Sequence, residues 1–243
     1  MPPQGGFFGA ERPRQTRGRQ DVNGATQEQV TCPSCGAKLT AEVVTTIREN
    51  NEEAWQALVQ RRLNVCHCPH CDQDFMVERP LVYRDETQPF ILYYIDTTPE
   101  TDQNALERQI DDMATEIAEA EGVEKPIVRL TVTLWDFIEK IFIWRNGYDD
   151  RLIEFAKQQL FRNTDLDKMS RLQHRLLLDF SNEDHNVLAF IIFDRETNQP
   201  VGGIHVPLEE FHKLTDEFYG NPQLLHELEL LFPTCYVSVE RLF

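Results

Sequence analysis

Cys32-Pro33-Ser34-Cys35-Gly36 and Cys68-Pro69-His70-Cys71 form two short knuckles in a 243-residue chain that has six cysteines. Two residues between cysteines let both sulfurs of one tight turn reach a single ion, so two such turns supply four thiolates. Proline fixes one φ angle in each turn, and the residue after the second cysteine often falls where left-handed backbone is needed. Gly36 meets that demand without strain, and Asp72 is a short polar residue that tolerates it better than most. One Cys-x-x-Cys would be ambiguous between redox and metal chemistry. Two copies, with proline in the same place, point to a metal, and the chain must fold so that the two knuckles meet.

Cys32, Cys35, Cys68 and Cys71 suit one tetrahedral Zn²⁺. Four thiolates leave no open coordination position, so such an ion is structural and assigns no catalytic residue. A four-cysteine site also accepts a single iron ion, but a ribbon of this kind favours zinc. The run Cys66-His67-Cys68-Pro69-His70-Cys71 holds more candidate ligands than the site can use. By symmetry with the first knuckle, Cys68 and Cys71 are the ligands, and Cys66, His67 and His70 are strand or turn residues beside them. A sharper alternative makes Cys66 a redox switch that attacks an oxidised ligand and releases the metal.

Val30-Thr31-Cys32-Pro33-Ser34-Cys35-Gly36, Cys68-Pro69-His70-Cys71 and Glu78-Arg79-Pro80-Leu81-Val82-Tyr83-Arg84-Asp85 resemble the CpXC domain of bacteria and archaea. The resemblance continues through Phe142-Ile143-Trp144-Arg145-Asn146-Gly147-Tyr148-Asp149-Asp150-Arg151-Leu152-Ile153-Glu154. It implies a zinc-binding module with no assigned activity. Cys32, Cys35, Cys68 and Cys71 are the positions it carries over as functional, and Cys66 is an extra.

A chain that is 41% hydrophobic can build a sizeable core. No charged-then-apolar leader and no membrane-length run is visible, so a cytoplasmic protein is expected, with thiols kept reduced. The net charge is −17, and most of the acidic excess lies after residue 97. Such a field repels phosphate backbones and argues against direct nucleic-acid binding. Lys38, Arg48, Arg61, Arg62, Arg79 and Arg84 near the knuckles are outnumbered by acids. Residues 1–29 are rich in Gly, Pro, Gln and Arg and read as a disordered tail, with Arg12, Arg14, Arg17 and Arg19 solvated.

Residues 30–97 read as a zinc-ribbon-like module with a helix between its knuckles. A strand over 38–47 precedes a helix capped by Asn50 or Asn51, and strands follow over 75–83 and 90–95 around the turn Asp85-Glu86-Thr87-Gln88. Residues 98–243 read as an α+β region of mixed antiparallel sheet and helices, part of the same family unit. Thr97-Thr98-Pro99-Glu100 looks like a helix start, and Leu106, Ile110, Met113 and Ile117 form the buried stripe. Glu107, Asp111, Asp112, Glu116 and Glu119 fall on the solvated face. A strand over 127–132 leads to the capping box Thr133-Leu134-Trp135-Asp136 and a helix ended by Asn146-Gly147. Asp149, Asp150 and Glu154 then open the next helix as caps and dipole partners rather than acid-base groups. Strands are expected over 175–180, 186–194 and 201–206, the middle one central because it is apolar on both faces. Helices over 208–218 and 222–231 and a closing strand over 235–242 complete the reading, with Cys235 a small core residue.

Enzyme motifs do not appear. His226-Glu227-Leu228-Glu229-Leu230 puts Leu230 where a metalloprotease helix needs its second histidine, and no Gly-x-Ser-x-Gly, P-loop or dinucleotide glycine pattern occurs. The expected role is therefore a protein-interaction or regulatory module that binds another protein. A nucleic-acid or transcription-machinery association through the ribbon and arginine tail is the alternative. A metal-dependent hydrolase is the third reading and requires a second metal or a non-cysteine ligand.

Overall fold

The computed structural model describes residues 24–164 and 169–242. The expected tail thus falls mostly outside the described residues, but its last stretch does not. Strand β1 (Ala25–Thr31) pairs antiparallel with β2 (Lys38–Val44), from Thr31↔Lys38 at the first knuckle to Ala25↔Val44. Polar residues Thr26 to Gln29 hid this strand, because the backbone ladder holds it and not an apolar stripe. Arg79 adds a cross-link, its Nε donating to Glu28 Oε2 at 3.0 Å.

β3 (Thr46–Arg48) and helix α1 (Glu52–Val59) come next, so the expected strand over 38–47 divides between two sheets. Asn51 caps α1, its side chain accepting from Ala54 N at 3.0 Å. The second knuckle closes a hairpin of β4 (Val65–Cys68) and β5 (Gln73–Met76). Val30, Ala41, Val43, Cys66 and Val77 form the small core between the two knuckled hairpins. Asn64, at φ +59°, ties them: its side chain accepts from Val44 N at 2.8 Å and donates to Val44 O at 2.9 Å.

The strand expected over 75–83 also divides, ending at Met76 and resuming as β6 (Leu81–Asp85) after Pro80, which has no N–H for a ladder. β6 pairs antiparallel with β7 (Phe90–Tyr94) across the expected turn, where Asp85 accepts from Thr87 N and Gln88 N. α1, although it lies between the knuckles in sequence, packs with Ile47, Tyr83 and Leu92 on this sheet.

Helix α2 (Gln103–Glu121) starts later than expected, because Asp102 takes the capping position and accepts from Ala105 N at 3.0 Å. Its buried stripe is Ile110, Ala114 and Ala118, whereas Met113 is 40% exposed. The small alanines let the helix approach closely, which turns Glu107 inward against expectation. Glu107 is buried and receives Arg241 Nη1 at 2.5 Å. Asp111, Asp112, Glu116 and Glu119 are exposed as expected.

β8 (Ile127–Thr131) runs parallel to β7 and completes the sheet order β3-β6-β7-β8. Helix α3 (Leu134–Arg145) begins at the expected box, Thr133 Oγ1 accepting from Asp136 N at 3.1 Å. α3 is buried on both sides. Phe137, Ile138 and Ile141 join the first sheet's core, while Ile143 joins a second core built on the C-terminal elements. Gly147, at φ +72°, then turns the chain into α4 (Asp150–Asn163), which Asp149 caps.

β9 (His174–Leu178), β10 (Val187–Asp194) and β11 (Pro200–Pro207) form an antiparallel sheet with β10 in the centre, as its continuous apolar run requires. α5 (Leu208–Gly220) and α6 (Pro222–Leu231) pack on it through Phe211, Phe218 and Leu228. The closing strand expected over 235–242 is not there. Leu130 N donates to Cys235 O at 2.9 Å, and the chain then turns into a short 3₁₀ helix, Val239–Leu242. Val239 N donates to the Glu154 carboxylate at 2.8 Å instead of to a strand. Cys235 is buried in the α2–β8 core as expected.

The protein is thus a mixed α+β chain with six α-helices and four small sheets among the described residues. No described helix is long and apolar enough to cross a membrane.

Candidate metal centre

The two knuckles meet. The Sγ atoms of Cys32 and Cys71 lie 3.7 Å apart and those of Cys35 and Cys68 3.6 Å apart, each pair spanning both hairpins. All four sulfurs lie within 4.8 Å of one another. A tetrahedron of thiolates around an ion with bonds of ~2.3 Å has edges of roughly 3.8 Å, so the cluster is close to the size a metal requires.

The two turns are built alike. Gly36 N donates to Cys32 O and Asp72 N to Cys68 O, both at 2.9 Å. Gly36 sits at φ +73° and Asp72 at +59°, the left-handed positions expected from the spacing. Cys32 and Cys68 are buried, Cys71 is half-buried and Cys35 is exposed.

Crowding sets the thiols against one another. Burial and the neighbouring thiols push Cys71 up to about 12. Burial also opposes ionisation of Cys32, but the backbone N–H groups of Cys35 and Ser34 and nearby thiols bring it down to about 6. A central cation removes the competition by favouring the thiolate at every ligand. The soft, four-sulfur donor set fits a thiophilic ion in a closed site.

The other candidate ligands stand aside. Cys66 is buried among Val30, Val43 and Val77, its sulfur 3.9 Å from Asn64 O. Burial raises its pKa, which makes it a poor nucleophile and fits a core residue better than a redox switch. His67 is exposed and lies between Asp74 at 2.9 Å and Asp72 at 3.3 Å. The hydrogen bond to Asp74 raises its pKa. His70 is exposed and outside the sulfur group.

A second polar assembly went unread in the sequence. Glu139 and Lys140 of α3 and Glu154 and Lys157 of α4 are all buried. Lys157 Nζ contacts Glu139 at 2.7 Å and Glu154 at 3.0 Å, and Lys140 Nζ contacts Glu154 at 3.1 Å and Asp150 at 3.2 Å. Arg129 of β8 grips Asp150 with Nε at 2.8 Å and Nη2 at 2.9 Å. Acids and bases alternate along this chain. Leu178 N closes its inner end on Glu139 at 2.6 Å.

Burial raises the Glu139 pKa. At Asp150 burial acts the same way, but Arg129 and Lys140 outweigh it and hold the carboxyl well below its usual range. Asp149 is the cap the sequence implies, accepting from Arg151 N at 2.9 Å. Asp150 and Glu154, read as helix-opening acids, turn inward instead. One sequence signal was present: α3 is apolar around most of its circumference, so Glu139 and Lys140 have no solvated face to occupy.

These features define an α+β protein with a four-cysteine cluster positioned to hold a metal ion. A family model described as CpXC protein matches residues 30–157, and the chain belongs to the CpXC family. No curated protein and no solved structure matches it. The matched span takes in both knuckles, α3 and the whole ionic chain as far as Lys157, while β9–β11, α5 and α6 lie beyond it.

Proposed function

We propose that Cys32, Cys35, Cys68 and Cys71 hold one structural Zn²⁺ in a zinc-ribbon-like module, and that the protein works as a cytoplasmic protein-interaction or regulatory module. The observation that carries the metal reading is the convergence of four sulfurs within 4.8 Å from two separate hairpins. Among the described residues, five buried apolar side chains, with Leu39 and Phe75 partly buried beside them, join those hairpins, a core too small to hold them without a staple. The closed donor set leaves no position for a substrate, which favours a scaffold over a hydrolase.

The interaction reading rests on charge. The chain carries −17, and α2 exposes Asp111, Asp112, Glu116 and Glu119 along one helix. Such a surface attracts a partner with a basic face and repels nucleic acid. Two of the basic residues near the knuckles in sequence, Arg48 and Arg79, are already paired with Glu86 and Glu28.

The first test is metal content and free thiols on protein purified without added metal, repeated on Cys68→Ser. One zinc per chain, lost in the variant, supports the reading. Iron, no metal, or a metal that survives the substitution refutes the zinc site. Salt-sensitive binding of DNA or RNA at low ionic strength would refute the interaction reading in favour of the nucleic-acid one.

A further inference from the structure

A cavity of about 260 Å³ is lined by residues of β7, β8, α3, the start of α4 and the end of α5. None of the four knuckle cysteines contributes to it. It exceeds the roughly 150 Å³ cavity known to hold benzene, so a ring and one charged group fit. Phe90 and Trp144, stacked with centroids 3.9 Å apart, and Tyr148 supply an aromatic lining. The polar lining is Arg129, Lys140 and Arg151 with Asp149, Asp150, Gln88 and Tyr219.

The carboxylates there are already occupied. Asp149 accepts from Arg151 N, Nε and Nη2 and from Tyr219 Oη. Asp150 accepts from Arg129 Nε and Nη2 and lies 3.2 Å from Lys140 Nζ. The cations are not used up. Arg129 makes one further bond, to Val128 O, and Arg151 bonds Asp149 and Tyr219, so each guanidinium keeps N–H donors to spare, while Lys140, held by Glu154 and Asp150, keeps one. Cations outnumber acids in the lining although the chain as a whole is strongly acidic. Cations with spare N–H donors, beside aromatic rings in a concave site, suit a ligand that brings acceptors and a flat apolar body.

We propose that this cavity binds a small aromatic anion, with its carboxylate or phosphate on Arg129, Lys140 and Arg151 and its ring against Trp144 and Tyr148. Apart from Tyr219 of α5, every lining residue lies within the matched span 30–157. The site therefore belongs to the family module, and one residue of the C-terminal region joins it. It is independent of the metal reading and stands or falls separately.

The test is calorimetric titration of the full chain, purified with its metal, against phenyl phosphate and benzoate, with benzamide as the neutral control. Each anion is expected to bind at least about tenfold more tightly than benzamide. Arg151→Gln leaves the contacts among Arg129, Asp150 and Lys140 in place and should cost about tenfold in anion affinity, with Arg151→Lys restoring part of it. Ile127→Trp, at a lining position 46% exposed, should fill the cavity and abolish binding. Equal affinity for benzamide and the anions overturns the proposal. So does the absence of binding at millimolar concentration, or anion binding unchanged in both Arg151→Gln and Ile127→Trp.

Discussion

Lys157→Met tests whether the buried ionic chain holds the two cores together. Lys157 is 2% exposed and touches two carboxylates, Glu139 at 2.7 Å and Glu154 at 3.0 Å. Methionine fills similar space but removes the charge. Glu154 keeps Lys140 and the Val239 N–H, whereas Glu139 keeps only the Leu178 N–H. The cost is therefore that of one uncompensated buried carboxylate, about 3–5 kcal/mol, a large part of the 5–15 kcal/mol that holds a typical domain together. Urea unfolding of metal-loaded protein at neutral pH reads this directly. Glu139→Gln in the same chain still accepts from Leu178 N but removes the stranded charge. The double variant should regain about 2 kcal/mol or more over Lys157→Met alone. A cost below about 1 kcal/mol for Lys157→Met, or strict additivity in the double variant, would refute the reasoning, because either would mean that the charges are not coupled.

Cys66→Ser should retain the metal while losing about 1–3 kcal/mol of stability, since a hydroxyl replaces a thiol in an apolar core; metal analysis and urea unfolding together check this, and metal loss would make Cys66 a ligand. Asn64→Ala should cost about 2 kcal/mol, because it removes both side-chain bonds to Val44 at a left-handed position; an unchanged unfolding midpoint would sink the claim that Asn64 joins the hairpins. Asp150 has a depressed folded-state pKa, so its contribution is full above the unfolded carboxyl value of about 3.9 and is lost as pH falls through the lower folded value. Asp150→Asn should therefore destabilise the protein at neutral pH, with the deficit shrinking in the acid limb below about pH 4, and a deficit independent of pH would contradict the assignment.

Features that depend on a few neighbouring residues were legible in the sequence. The knuckle spacing, with Gly36 and Asp72 in left-handed backbone, announced the four-sulfur group, because the coordination chemistry of one ion demands convergence from residues far apart. The caps at Asn51, Thr133 and Asp149 follow from side-chain oxygens that can reach a nearby N–H. The central place of β10 follows from its having no polar face to give to water.

What the tertiary structure decided is where identical side chains end up. Glu107 and Glu119 look alike in sequence, yet only Glu107 is buried, because Ala114 and Ala118 bring that side of α2 against the core. Pairing of β1 with β2 through polar side chains, and of β3 with β6 and β7 with β8 in parallel, depends on backbone ladders that leave little pattern in the residues. Glu154, read as a helix-opening acid, and Glu139, Lys140 and Lys157 find one another only when α3 lies between two cores. Charge carries no mark of its own burial, since the groups that neutralise it arrive only when distant elements pack.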